Sequence, residues 1–245
     1  MKIAVILAAG RGSRLKEECL EQPKPMTKVN GVSIIDNLIK NLIIHSVKEI
    51  VIVTGYMEEK LNKHLHKFKN SCTLHLISNK IYDSTNNIYS LWLAKEYLKD
   101  GFFLFEADIF FEPLLIEKLI KSTHRNVIVV DEFTSNMNGT VVELTVDSII
   151  KEMYLSSHQS KNFDFYQKFK TVNIYKLSKY YTENYFLKKL EKHIKRGDIN
   201  IYYEQIIKED IDDGHIFYGL KTKNIKWWEI DTQEDLQITR RIFSK

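Results

Sequence analysis

The chain has 245 residues, 44% of them hydrophobic, and a formal net charge of +4, enough apolar content for one large buried core without division into two. Its basic residues are spread along the sequence, and the lysine-rich patches at 60–69 and 188–196 have helical spacing, so they read as solvated helix faces and argue against a nucleic-acid partner. With 9 glycines, 3 prolines and 2 distant cysteines, a disordered linker, a disulfide framework and a cysteine zinc site are all disfavoured, and no stretch approaches the roughly 20 apolar residues of a membrane span. A cytoplasmic protein without membrane insertion is expected.

Taken in chain order, apolar runs predict strands over 3–7, 49–54, 73–78 and 101–105. Amphipathic stretches predict helices between them, over about 33–44, 58–68 and 88–98. This alternation argues for a parallel sheet covered on both faces, with ligands gathering at the carboxyl ends of the strands. From about residue 126 the pattern changes to paired strands, 127–130, 140–146, 149–153 and 170–175. Helices over 178–195 and 201–208 follow, then strands over 216–220 and 226–230 and a last helix over 232–243. The expected architecture is α/β: a mixed but mainly parallel sheet flanked by helices, with an antiparallel or mixed extension in the second half. One domain is expected over 1–245, with a subdivision near residue 125.

The first strand runs into Ala8-Ala9-Gly10-Arg11-Gly12-Ser13-Arg14-Leu15, and Pro23-Lys24-Pro25-Met26 comes seven residues later. Small side chains leave this backbone bare, so its N–H groups can approach an anion, while Arg11, Arg14 and Lys24 bring three cations to the same mouth. The spacing matches neither a Walker A loop nor a dinucleotide fingerprint. Farther on, the run 102–105 ends at Glu106-Ala107-Asp108, so carboxylates emerge where a buried strand should meet solvent. Trp228-Glu229-Ile230-Asp231 repeats that arrangement, although an aspartate before Thr-Gln-Glu-Asp also suits a helix N-cap.

The opening loop, the Pro-Lys pair, and Asn30-Gly31 before a helix together resemble the signature of the nucleotidyltransferases that make NDP-sugars and CDP-alcohols. The resemblance spans 3–236 and implies a Rossmann-like, GT-A-like fold. It implies that Leu7, Ala8, Ala9, Gly10, Arg11, Gly12 and Ser13 wrap a nucleoside triphosphate, and that Arg14 and Lys24 offset charge at the reacting phosphate. Asp108 and Asp231 match the family's two metal aspartates, which would share a Mg2+ with the nucleotide phosphates. Glu106 and Glu229 would sit behind them.

The segment Asn86-Asn87-Ile88-Tyr89-Ser90-Leu91 supplies helix caps at Thr85 or Asn86. It also resembles the nucleotide-pocket segment of phosphocholine and 2-aminoethylphosphonate cytidylyltransferases, where sugar nucleotidyltransferases carry small residues. That implies nucleotide contacts from Asn87 and Ser90, with Thr54, Gly55 and Tyr56 beside the base. Aromatic faces bind organic cations and a carboxylate assists, so Tyr202, Tyr203, Glu204, Trp227 and Trp228 are acceptor candidates, Tyr203 and Glu204 first. Asn173 matches a family position near the acceptor.

The resemblance thus implies an enzyme of cell-surface polymer synthesis with a nucleotide half, 1–125, and an acceptor half, 126–245. It would transfer CMP from CTP to phosphocholine, phosphoethanolamine or 2-aminoethylphosphonate, releasing pyrophosphate. A phosphorylated amino acid amide such as phosphoglutamine is an alternative acceptor, and a sugar-1-phosphate nucleotidyltransferase or a silent nucleotide-binding regulatory subunit are alternative functions. The acceptor and the oligomeric state are not written in the sequence, and a homodimer is allowed for.

Overall fold

The computed structural model describes residues 2–244. Strand β1 (Ile3–Ala8) is buried along its whole length. A loop and two short 3-10 turns lead from it to a small hairpin of β2 (Lys28–Val29) and β3 (Val32–Ser33). Helix α1 (Ile34–Ile44) follows, capped by Ser33, whose hydroxyl accepts from the Asp36 N–H. Strand β4 (Glu49–Thr54), helix α2 (Glu58–Leu65), strand β5 (Thr73–Ser78), helix α3 (Asn87–Leu93) and strand β6 (Gly101–Glu106) complete the alternating half. Strands β4, β1 and β6 are almost uninterrupted runs of buried apolar residues, as both faces of a helix-covered parallel sheet require.

The chain next forms β7 (Ile109–Phe111) and α4 (Leu114–Lys121), two elements absent from the sequence expectation. Strands β8 (Val127–Glu132), β9 (Val141–Leu144), β10 (Ile150–Tyr154) and β11 (Phe169–Ser178) follow. Next come α5 (Lys179–Tyr181), a wide turn over Thr182–Phe186, α6 (Leu187–Arg196) and α7 (Glu204–Asp212). Strands β12 (Tyr218–Lys221) and β13 (Trp227–Glu229) and helix α8 (Gln233–Ile242) end the described chain.

The parallel strands lie in the order β5-β4-β1-β6. The chain therefore leaves β1 in one direction and returns on its other side, which opens a crevice at the carboxyl ends of β1 and β6. Strand β11 is antiparallel to β6, to β8 and to β9, and β9 pairs antiparallel with β10. The extension is mixed, because β12 runs parallel to β8.

One apolar cluster packs α1, α2 and α4 on one face of the sheet, with Leu38, Leu61 and Leu115 at its centre. A second packs α3, α6 and α7 on the other, with Leu91, Leu190 and Ile206. A third and smaller cluster, which includes Leu15, Phe110, Ile230 and Leu236, locks the opening loop to the last strand and helix. No helix among the described residues is long and apolar enough to cross a membrane.

Candidate active site

Two local devices place Asp231 beside Asp108. Strands β7 and β13 pair antiparallel, with Ile109 opposite Glu229, and the Ile230 N–H donates to the Asp108 carbonyl at 2.9 Å. Helix α8 is capped by Thr232 and not by Asp231: the Thr232 hydroxyl accepts from the Asp235 N–H, and Asp235 returns the bond in a capping box. Asp235 also accepts from the Asp231 N–H. The Asp231 carboxylate is thereby freed from capping and turns toward Asp108.

Lys24 lies between the two aspartates, donating to Asp108 Oδ2 at 2.8 Å and to Asp231 Oδ1 at 2.7 Å. Arg14 reaches Asp231 Oδ2 at 3.0 Å from a largely exposed position. Burial alone would lower the Lys24 pKa, but the charges of Asp108 and Asp231 outweigh it and hold the ammonium above its ordinary value. Burial would raise Asp231, and Lys24 and Arg14 reverse that and keep it below the ordinary carboxylate range. Gly12 makes this arrangement possible. It has φ 64°, and a Cβ there would stand 2.8 Å from the Lys24 Cβ.

A cavity of about 270 Å³ opens beside these charges, at the carboxyl ends of β1 and β6. Leu7, Ala8, Ala9, Gly10, Gly12, Ser13, Arg14 and Lys24 line one side, and Asn87, Ser90 and Asp108 line the other. Among the described residues, the N–H groups of Gly10, Arg11 and Gly12 have no hydrogen-bond acceptor. Arg11 and Tyr56 fall outside the lining. The Arg11 guanidinium sits 5.7 Å from the Tyr56 ring centre, and the Tyr56 hydroxyl donates to the Cys19 carbonyl, so Tyr56 braces the loop from behind. Gly55 allows the tight seam there, since a Cβ would stand 2.8 Å from the Ala9 carbonyl oxygen.

Asn79, buried just past the end of β5, was not singled out from sequence. Its amide donates to the hydroxyls of Thr85 and Ser90 at 3.1 Å each, and it accepts from the Ile81 N–H. With Thr85 so engaged, Asn86 caps α3. Asn79 lines the cavity, and its position at the end of a parallel strand is the signal that could have found it.

A second cavity, of about 780 Å³, adjoins the first across Arg14, Glu106, Asp108, Tyr202 and Asp231. Its polar lining includes Lys170, Asn173, Glu204 and Glu229. Asn173 has φ 57°, a left-handed conformation that asparagine tolerates, at an irregularity in the pairing of β11 with β8. Its side-chain amide donates to Glu229 Oε1 at 3.1 Å. Lys170 is buried, with its ammonium 3.1 Å from Glu229 Oε2 and 2.6 Å from the Thr171 carbonyl. It too was not anticipated, as a lone lysine within an apolar strand carries no motif.

Tyr203 is fully buried and lines neither cavity. Its hydroxyl donates to Glu106 Oε1 and its N–H to Asn87 Oδ1, so the expected acceptor contact is replaced by a scaffold role. Trp227 donates to Asp131 and Trp228 to Asp235, away from both openings. Burial raises Glu106 well above its ordinary pKa, the neighbouring charges of Asp108, Glu204 and Glu229 adding to the effect. Burial also raises Glu204, to about 7, against hydrogen bonds from its own backbone and Asn87 and the charge of Lys170.

The family model for the MobA-like NTP transferase domain matches residues 4–166. The chain belongs to that family. The chain is 30% identical to the CMP-5'-(3-aminopropyl)phosphonate synthase of Streptomyces rubellomurinus, over 95% of its own length and 37% of that protein. It is 34% identical to the CTP:phosphoglutamine cytidylyltransferase of Campylobacter jejuni over 53% of its length and 52% of that protein. The chain thus spans about half or less of the length of these relatives. Its fold superposes on the CTP:phosphocholine cytidylyltransferase of Streptococcus pneumoniae with a TM-score of 0.83, at 22% identity and full coverage of both chains.

Transferases of this family generally use a divalent metal ion. Asp108 and Asp231 fit one: Asp108 Oδ1 is buried without a hydrogen-bond partner, and no third acid, histidine or cysteine joins them in a cluster among the described residues. Two carboxylates without a closed cage suit a hard cation that keeps water and phosphate oxygens as its other ligands.

Proposed function

We propose that this transferase moves CMP from CTP to a small phosphorylated or phosphonylated acceptor of the amino-alcohol type, releasing pyrophosphate. The observation that carries the reading is the convergence of Arg14, Lys24, Asp108 and Asp231 where the two cavities adjoin. The smaller cavity, built mainly from 1–125, would take the nucleotide, with Ala8 to Ser13 around the phosphates and Asn79, Asn87 and Ser90 toward the nucleoside. The larger, built mainly from 126–245, would take the acceptor.

An acceptor oxygen attacks the α-phosphorus of CTP, the bond from that phosphorus to the bridging oxygen breaks, and pyrophosphate leaves. The acceptor phosphate is already ionised near neutral pH, so no general base is required. Catalysis rests on orientation and charge neutralisation. Lys24 is the central group: with a triphosphate present, its ammonium turns from the aspartates to the oxygens of the α-phosphate, while Arg14 takes the β and γ groups. Mg2+, held by Asp108 and Asp231, would supply further neutralisation of the phosphate charge. Glu106, tied by Asn87 and Tyr203, fixes the wall between the cavities.

The chemistry suits the cytoplasm, where CTP is made, and a product destined for a cell-surface polymer. 31P NMR of CTP, Mg2+ and each candidate acceptor tests the reading. A new diphosphate-type resonance and equimolar pyrophosphate are expected. CTP left intact with phosphocholine, phosphoethanolamine, 2-aminoethylphosphonate and phosphoglutamine alike would reject it.

A further inference from the structure

The larger cavity is acidic at its floor. Three carboxylates, Glu106, Glu204 and Glu229, face one ammonium there, that of Lys170. Their hydrogen bonds are unequal. Glu106 accepts from Asn87 and from the Tyr203 hydroxyl at 3.1 Å each. Glu229 accepts from Asn173 and pairs with Lys170, also at 3.1 Å each. Glu204, 6% exposed, accepts from its own backbone N–H and has one long side-chain contact, from Asn87 to Oε2 at 3.5 Å. Among the described residues its Oε1 has no side-chain donor. A buried carboxylate at a cavity wall with acceptor capacity left over calls for a cationic donor.

The aromatic lining does not form a cage. Phe133, Phe165 and Tyr202 are the aromatic residues on the wall. Phe133 and Phe165 stack on each other, centres 4.1 Å apart and planes within 10°, and Phe163 packs edge-on against Phe165 at 5.0 Å. Tyr202 stands half-exposed where the two cavities adjoin. A trimethylammonium group has no N–H to donate and relies on several ring faces around one point. Here the unspent groups are oxygen acceptors.

The cavity is equally poor in cations for a substrate carboxylate. Arg14 and Lys170 are the cations on its wall; Arg14 is at the reacting phosphates, and Lys170 is 2% exposed and spent on Glu229 and the Thr171 carbonyl.

Building on the cytidylyl-transfer reading, we infer that the acceptor carries a primary ammonium and no carboxylate, a terminal aminoalkyl phosphate or phosphonate, and that Glu204 receives its N–H groups. Each N-methyl group removes one donor and adds volume beside Glu204, so catalytic efficiency falls along the methylation series. An α-carboxylate meets the three floor acids unneutralised.

The test is pyrophosphate release from CTP by the full chain. Its acceptors are phosphoethanolamine, 2-aminoethylphosphonate, the N-methyl, N,N-dimethyl and N,N,N-trimethyl (phosphocholine) forms of phosphoethanolamine, O-phosphoserine and ethyl phosphate. The expected kcat/KM is highest for a primary amine, with the two primary amines telling phosphate from phosphonate. Phosphocholine, O-phosphoserine and ethyl phosphate should each be at least tenfold lower. Glu204→Gln should raise the KM for phosphoethanolamine at least tenfold and so shrink the preference for phosphoethanolamine over ethyl phosphate. Equal or better turnover of phosphocholine or O-phosphoserine overturns the inference and leaves cytidylyl transfer standing. Release with no acceptor in the panel overturns both.

Discussion

Lys24 donates to Asp231 Oδ1 at 2.7 Å, and the same ammonium donates to Asp108 Oδ2 at 2.8 Å. A residue of the first loop is thus the counterion of the two carboxylates best suited to a metal. Nucleotide and metal would load together: the triphosphate draws Lys24 away as the cation takes its place. Neither partner alone satisfies both sets of charges.

Replacing Lys24 therefore separates metal binding from turnover. In Lys24→Gln, two apposed carboxylates lose their internal cation, so Mn2+ binding without nucleotide, read by calorimetry, should tighten at least fivefold. Pyrophosphate release should fall by two orders of magnitude or more. Stability should drop by about 1–3 kcal/mol without metal, because removing one partner of a half-buried pair leaves the others uncompensated. Metal binding that weakens instead would count against the aspartate pair as the cation site.

Two glycines of the first loop should respond differently to alanine. Gly12 is left-handed and faces the Lys24 Cβ at 2.8 Å, whereas nothing lies within 4 Å of a Cβ built on Gly10. Gly12→Ala should cost about 1–2 kcal/mol in urea unfolding through backbone strain alone, and turnover should fall as Lys24 is displaced. Gly10→Ala should keep wild-type stability. Equal losses in the two variants would show that the conformation at Gly12 is not what positions Lys24.

Much of this was legible in the sequence. The opening loop, the Pro-Lys pair and the two strand-end aspartates stand out as local patterns and come together in the fold, and the alternation of 3–105 is read directly from hydrophobic period. What was hidden depends on distant partners. β7 is three residues long and exists because β13 pairs with it. Tyr203 has the composition of a binding residue but donates inward to Glu106, and Lys170 is recognisable only once Glu229 is opposite it. The acid box at α8 looked like a cap by Asp231, and the one-residue difference to Thr232 decides which carboxylate is free.

That difference predicts a positioning role for Asp235, which holds the Asp231 and Thr232 N–H groups and the Trp228 indole. Asp235→Ala should lower stability by about 1–2 kcal/mol through loss of the cap. It should also lower kcat severalfold with little change in the KM for acceptor, because Asp231 is loosened and the larger cavity is untouched. Loss of stability with full kcat would confine Asp235 to helix capping.

The buried acids set a pH dependence with a definite sign. Glu204 is raised from its ordinary 4.5 to about 7, so between these values the folded chain binds a proton that the unfolded chain has released. This contribution to stability is complete below about pH 4.5 and declines as pH rises to about 7. In Glu204→Gln, urea midpoints measured from pH 5 to 8 should fall less steeply than in wild type. Parallel profiles would place the Glu204 pKa back near its ordinary value.

The central proposal, cytidylyl transfer at the Lys24–Asp108–Asp231 centre, is met most directly by comparing nucleotides. Pyrophosphate release should be measured with CTP, UTP, ATP, GTP and dTTP at equal concentration, each with phosphoethanolamine or with a sugar 1-phosphate and Mg2+. Release with CTP and phosphoethanolamine at a kcat/KM at least tenfold above every other pairing, and its loss in Asp108→Ala, is the expected result. A faster reaction of another nucleotide with a sugar phosphate, or full activity in Asp108→Ala, would contradict it.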